Sequence, residues 1–148
     1  MTAINQLDLQ DLLQKLVKTQ PTPRSALLPA LQAVQAQYGW ISFEAAALIS
    51  HALNVPLAEI QGVIDFYSLL YDQPTGKQVV RVCCDPVCAL KGSDTLLQAA
   101  SLKTGAAEGS NSPDGQFTIE RSTCLGLCEH APAALINQLR ALVEVLVV

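Results

Sequence analysis

Leu9, Leu12, Leu13, Leu16 and Val17 recur at the i, i+3, i+4, i+7, i+8 spacing of one helical face. The stripe stops before Pro21-Thr22-Pro23, which cannot continue a helix. A second helical pattern runs from Ser25, a good N-cap, through Leu27, Leu31, Val34 and Tyr38 to Gly39. Ser42 is placed to cap a third, with Leu48, Ile49, Ala52 and Leu53 on one face and Asn54 at its end. Pro56 suits the first turn of a fourth, carrying Ile60, Val63 and Ile64. The connections are short, so this part reads as a helical bundle.

From Tyr71 the pattern changes. Asp72 to Gly76 is turn chemistry, and Gln78 to Cys83 is β-branched and strand-like. Ser93 to Leu102 reads as a helix closed by Gly105. Gly109 to Gly115 reads as a loop whose Pro113-Asp114-Gly115 turn feeds a strand from Phe117 to Arg121. Ala133 to Ile136 suits a short third strand, and Arg140 to Val148 is apolar enough for either strand or helix. The expected class is α/β, with residues 1–72 a helical N-terminal region and 73–148 a small α/β domain.

Composition narrows the function. Of 148 residues, 50% are hydrophobic and 15% charged, which excludes wholesale disorder. The net charge of −4 and the lack of any Lys/Arg block argue against a nucleic-acid partner. No apolar run suits a membrane span, and Met1 to Asp11 lacks the basic region of a signal peptide. The expected location is therefore cytoplasmic, with reduced thiols.

Five cysteines fall in two groups, Cys83/Cys84/Cys88 and Cys124/Cys128, each at the end of a predicted strand. Neighbouring strand ends can bring four thiolates to one site, as metal or iron–sulfur ligation requires. The first pair is C-x4-C from Cys83 or C-x3-C from Cys84, and the second is C-x3-C. Neither is the C-x-x-C of a thioredoxin-type dithiol, and with only His130 nearby Rieske ligation lacks its two His. Spacing alone leaves a 2Fe–2S cluster, zinc or unligated thiols open. A thiolate-ligated cluster carries negative charge. Arg81 and Arg121 beside the loops, and a helix N-terminus near Cys88, are candidates to offset it. Gly92 and Gly126 would let backbone approach closely or simply make turns.

The order of motifs adds a resemblance. Cys83-x4-Cys88 is followed by Lys91-Gly92-Ser93, Pro113-Asp114-Gly115-Gln116-Phe117 and Cys124-Leu125-Gly126-Leu127-Cys128-x3-Pro132. Leu27-Leu28-Pro29-Ala30-Leu31, Gln35-x-x-Tyr38-Gly39 and Gly62-Val63-Ile64-Asp65-Phe66-Tyr67 precede them. Together they resemble the thioredoxin-like 2Fe–2S subunit of the NADH dehydrogenase module. Close relatives of that subunit serve NAD-linked formate dehydrogenases and bidirectional or bifurcating hydrogenases. The resemblance implies a thioredoxin-like ferredoxin domain and one 2Fe–2S cluster on Cys83, Cys88, Cys124 and Cys128. It leaves Cys84 a packed bystander on the opposite side of the strand. It also implies one-electron transfer beside an FMN- and NADH-binding flavoprotein and further iron–sulfur subunits. The chain has no Gly-rich dinucleotide fingerprint, so FMN and NAD belong on the partner, and no catalytic residues are assigned. His130 stands where the family commonly has Asn, and His51 reads as structural.

Two rivals from other classes are a zinc-stabilised interaction module and a redox-sensing dithiol protein. Trp40, Phe66, Tyr67 and Tyr71 are expected to leave an apolar patch for a partner. The Val143–Val148 tail is expected to pack on the domain as strand or helix, or else to dock on a partner.

Overall fold

A computed structural model describes residues 6–136 and 144–147. Two compact units divide between Pro74 and Thr75. In the first, α1 (Gln6–Thr19) buries Leu9 and Leu13, with Leu12, Leu16 and Val17 at the margin of the same core. A 3-10 turn at Arg24–Ala26 leads into α2 (Leu27–Tyr38).

Ser25 does not cap α2. Its hydroxyl donates to the Thr22 carbonyl at 2.8 Å and stays within the preceding turn. Pro29 supplies the reason. With Ser25 as N-cap, Pro29 would be the fourth helical residue, whose N–H should donate to the Ser25 carbonyl; proline has none. Starting at Leu27 places Pro29 among residues whose N–H is unpaired in any helix.

The helix α2 ends at Gly39, in the left-handed region at φ +85°. Ser42 caps α3 (Phe43–Leu53) by accepting from the Ala45 N–H at 3.2 Å, and Asn54 ends it at φ +53°. The buried face of α3 is Ala45, Ala46, Ile49 and Leu53; Ala52, expected inside, is exposed. After Pro56, α4 (Leu57–Phe66) buries Ile60 and Ile64.

One buried polar side chain organises the exit from the bundle. The amide of Gln35, 2% exposed, donates to the Leu69 carbonyl and accepts from the Tyr71 N–H, each at 2.7 Å. The Ile41 N–H then donates to the Tyr71 carbonyl at 2.7 Å. Gln35→Leu fills similar space but leaves two backbone groups unpaired. It is expected to cost about 1–3 kcal/mol per group left buried and unsatisfied, read by urea denaturation. A variant as stable as the parent would show that water replaces the amide.

The second unit is built on a five-stranded sheet of order β2-β3-β1-β4-β5. Its strands are β1 (Gln78–Cys83), β2 (Ser110–Asn111), β3 (Phe117–Ser122), β4 (Ala133–Ile136) and β5 (Glu144–Val147). The segment expected as loop from Gly109 to Gly115 contains β2, because Ser110 and Asn111 pair antiparallel with Ile119 and Thr118. The tail is a strand at Glu144–Val147, paired antiparallel with β4; Arg140 to Val143 and Val148 lie outside the described residues.

The strands β1 and β3 are parallel, with Gln78 opposite Phe117 and Cys83 opposite Ser122. A parallel pair needs a crossover, which α5 (Pro86–Leu90) and α6 (Ser93–Thr104) provide. Leu97 of α6 packs on Val80, Val82 and Ile119. Where β1 begins, Gly76 donates its N–H to Thr118 Oγ1 at 2.6 Å. A Cβ at Gly76 would lie 2.5 Å from the Phe117 carbonyl carbon, so this approach requires glycine.

Arg121 ties β3 to the segment before β2 and to α6, with Nε 2.8 Å from Glu108 and Nη1 2.9 Å from Asp94. The hydrogen bond from Arg121 holds the Glu108 carboxyl below the usual carboxylate range. A carboxyl whose pKa is lowered by folding adds stability above its unfolded pKa and loses it as pH falls through the folded one. Glu108→Gln should therefore be slightly less stable than the parent at neutral pH. The two denaturation midpoints should converge below about pH 4, the unperturbed carboxylate range. A constant gap from neutral to acid pH would exclude this linkage.

Candidate metal centre

Parallel pairing puts the carboxyl ends of β1 and β3 at one edge of the sheet. Cys83 is the last residue of β1, and β3 ends at Ser122, two residues before Cys124. Both cysteine loops thus leave the sheet side by side. Cys83 and Cys88 are buried and pack with Ala133 against Leu125, Leu127 and Ala131. Cys124 and Cys128 are exposed, and their sulfurs lie 3.6 Å apart.

That separation is far beyond the roughly 2.05 Å of a disulfide. Two sulfurs on one tetrahedral ion with metal–sulfur bonds of about 2.3 Å stand about 3.8 Å apart, so the exposed pair has the spacing for one metal. Among the described residues, no three His, Cys, Asp or Glu side chains gather round a single ion position. The thiols are arranged as two neighbouring pairs, which suits two irons better than one zinc.

Backbone N–H groups are aimed at the sulfurs. Burial works to raise the Cys83 thiol pKa, but hydrogen bonds from the Asp85 and Leu125 N–H groups and from Cys88 outweigh it, and the pKa falls below the ordinary thiol range. Burial raises Cys88 against a bond from the Ala133 N–H, and the partnership with Cys83 adds to the rise. Cys128 is raised by its hydrogen bond and charge interaction with Cys124. The Gly126 N–H reaches Cys124 Sγ at 3.4 Å from a turn that holds Gly126 at φ +76°. Ligated sulfurs of a negatively charged cluster use such donors.

The expected helix start near Cys88 is present: α5 begins at Pro86 and holds Cys88 in its first turn. The backbone groups that act on the thiols come from its N-cap residue Asp85, from the Leu125 loop and from Ala133 of β4. Arg81, only 5% exposed, faces Glu120 across the parallel register and pairs with it at 3.1 Å. Arg121 is held by Glu108 and Asp94. Both cations thus have carboxylate partners of their own.

Cys84 packs with the Val80, Val82 and Leu97 cluster on the other side of the sheet from Cys83, and its thiol donates to the Val82 carbonyl at 3.4 Å. His130 lies in a 3-10 turn, largely exposed, 3.7 Å from Glu129. His51 is exposed in the last turn of α3.

The residue that sequence reasoning missed is Asp85. Its carboxylate accepts the Cys124 N–H at 2.9 Å. The Asp85-Pro86 pair is a helix-start signature, but nothing local indicates a partner 39 residues away.

Among the described residues, no helix is long and apolar enough to cross a membrane. A family model described as thioredoxin-like 2Fe-2S ferredoxin matches residues 13–145. The chain is 36% identical over 115 residues to a subunit of the NADH-quinone oxidoreductase of Pseudomonas aeruginosa, covering 78% of this chain and 69% of that one. It is 35% identical over 116 residues to the Escherichia coli K12 protein of the same name, covering 78% and 70%. It is 35% identical over 130 residues to the Aquifex aeolicus one, covering 88% and 81%. Among solved structures, it resembles part of an air-oxidised NAD+-reducing NiFe hydrogenase, with 26% identity and a TM-score of 0.65. That match covers 75% of this chain and only 19% of the hydrogenase chain.

Proposed function

The chain belongs to the thioredoxin-like 2Fe–2S ferredoxin family, and we propose that it is the one-electron-carrying subunit of an NADH dehydrogenase module. One 2Fe–2S cluster would be held by two thiolate pairs, Cys83 with Cys88 and Cys124 with Cys128. The observation that carries this reading is the pair of cysteine loops at adjacent parallel strand ends, with backbone N–H groups directed at their sulfurs.

When bound, the cluster supplies a site that accepts and returns one electron. The chain's own residues set the conditions. The buried pair screens one side from water, and the exposed pair leaves the other side within reach of a redox partner. N–H donors from Asp85, Leu125, Gly126 and Ala133 offset the charge that an added electron brings. Thiolate ligation of iron suits a reducing, cytoplasmic setting.

The partner in this reading is an FMN- and NADH-binding flavoprotein, accompanied by further iron–sulfur subunits. Residues 73–148 form the cluster domain, and residues 1–72 form a helical domain that meets the flavoprotein. Phe66, 79% exposed, Tyr67 and Leu69 lie in one short segment and offer the latter an apolar surface. Trp40 and Tyr71 are half-buried and contribute less. The likeness to the hydrogenase structure favours a second parent, a NAD-linked hydrogenase, in which the chain would do the same task.

The test is anaerobic purification with iron and sulfide analysis. Visible absorption that bleaches on reduction, with an EPR signal in the reduced state, is expected; a colourless zinc protein would overturn the proposal. Co-expression with the flavoprotein should give a stable complex. Phe66→Ser and Tyr67→Ser together should weaken that complex while leaving iron content unchanged. Undiminished co-purification would place the interface elsewhere.

A further inference from the structure

We infer that Asp85 is a positioning residue that fastens the second cysteine loop to the first, and that its carboxylate also biases the cluster against reduction. The inference rests on the site proposed above. Asp85 stands between Cys83 and Cys88 as the N-cap residue of α5, with extended backbone at φ −68° and ψ 162°. An Asp there ordinarily turns its carboxylate back onto the first N–H groups of its own helix. This one makes no such bond. Oδ2 instead accepts the Cys124 N–H at 2.9 Å.

The backbone N–H groups of Asp85 and Leu125 also act on Cys83. One N–H of the second loop is thus bonded to a carboxylate of the first. Residues Cys124 to Leu127 lie in no helix or strand, so no regular hydrogen-bond ladder fixes them. Hydrogen bonds between the loops then set the distance between an exposed thiol pair and a buried one. A bond to a carboxylate is of the stronger, charge-assisted kind.

The second consequence is electrostatic. A carboxylate in the first cysteine loop, bonded to the Cys124 N–H of the second, would carry its charge beside a cluster held between the two loops. Its negative charge opposes an added electron, and in a partly desolvated setting that effect is larger than in water. Net charge and hydrogen bonding to the sulfurs are the means by which a protein sets an iron–sulfur potential.

The experiment uses the full chain, purified anaerobically or reconstituted with iron and sulfide, as the parent, Asp85→Asn and Asp85→Ala. Asp85→Asn keeps an oxygen acceptor and removes the charge; Asp85→Ala removes both. The Asn variant is expected to match the parent in iron and sulfide per chain, in EPR g-values and in rate of iron loss to a chelator. Its midpoint potential should shift to more positive values. The Ala variant should lose iron to the chelator several-fold faster than either.

Asp85→Ala with the chelator resistance of the parent would overturn the positioning role. Asp85→Asn with an unmoved or more negative midpoint would overturn the electrostatic one. If circular dichroism shows that Asp85→Ala does not fold, parental g-values and iron retention in Asp85→Asn support the positioning role by conservative rescue, and altered ones overturn it. A parent chain that takes up zinc or no metal overturns the site itself, and this inference with it, before any variant is compared.

Discussion

Replacing Cys83, Cys88, Cys124 or Cys128 by Ala, one at a time, is expected to abolish or severely deplete the 2Fe–2S cluster, whereas Cys84→Ala retains it. In the proposed site each of the first four changes removes one of the two thiolates that would hold an iron. The loss should be graded. Cys83 and Cys88 are buried beside Ala133, Leu125 and Leu127, where water is a poor replacement ligand, so their variants should hold almost no iron. Cys124 and Cys128 face solvent, so a variant there can keep a labile, partly occupied cluster. Cys84 packs on the other side of β1 against Val80, Val82 and Leu97, and its loss should cost some packing and no iron. Iron and sulfide analysis of the five variants decides. A cluster that survives Cys83→Ala but not Cys84→Ala would show the shorter first pairing to be the one used.

Ile119→Ala is expected to lower the stability of the second unit by about 2–5 kcal/mol, the usual range for emptying a filled core position. Ile119 is fully buried at the centre of β3, against Val80, Val82, Leu97, Ala106 and Ala134. Opposite Val80 in the parallel register, it helps hold together the two strands whose ends present Cys83 and the Cys124 loop. The expected signature is a lower urea midpoint for the second unit and faster cluster loss on warming. The chain has two compact units, so the transition should be followed by a probe confined to the second, such as bleaching of the cluster absorption. Unchanged cluster stability in Ile119→Ala would mean that the strand ends are held by the loops themselves.

Much of this molecule is legible within short stretches of its chain. The end of α2 at Gly39, the Ser42 cap and the Asn54 stop are readable because they depend on contacts within a few residues. The strand at Gln78–Cys83 and the helix starting at Ser93 follow from composition over six to twelve residues. Ser25 misleads because a cap signal by itself omits the demand of Pro29 for a later helix start. Ala52 shows the same limit for faces: periodicity locates a stripe, but its edge depends on what packs there.

The metal centre divides along the same line. Two clusters of thiols, their places at strand ends and the separation of Cys83 from Cys84 onto opposite sides are within reach of the sequence, since side chains alternate along a strand. That Arg81 meets Glu120 depends on the register between β1 and β3, which no local rule sets. That the tail lies beside β4 as a strand depends on an open sheet edge waiting for it. That Asp85 forgoes its own helix for the Cys124 N–H depends on a loop 39 residues later arriving at the same place. Residue type and spacing along the chain mark out the candidate thiols and leave Cys83 and Cys84 as alternatives. What holds those side chains is settled in three dimensions, because a hydrogen bond or ion pair between distant segments exists only after the sheet has brought those segments together.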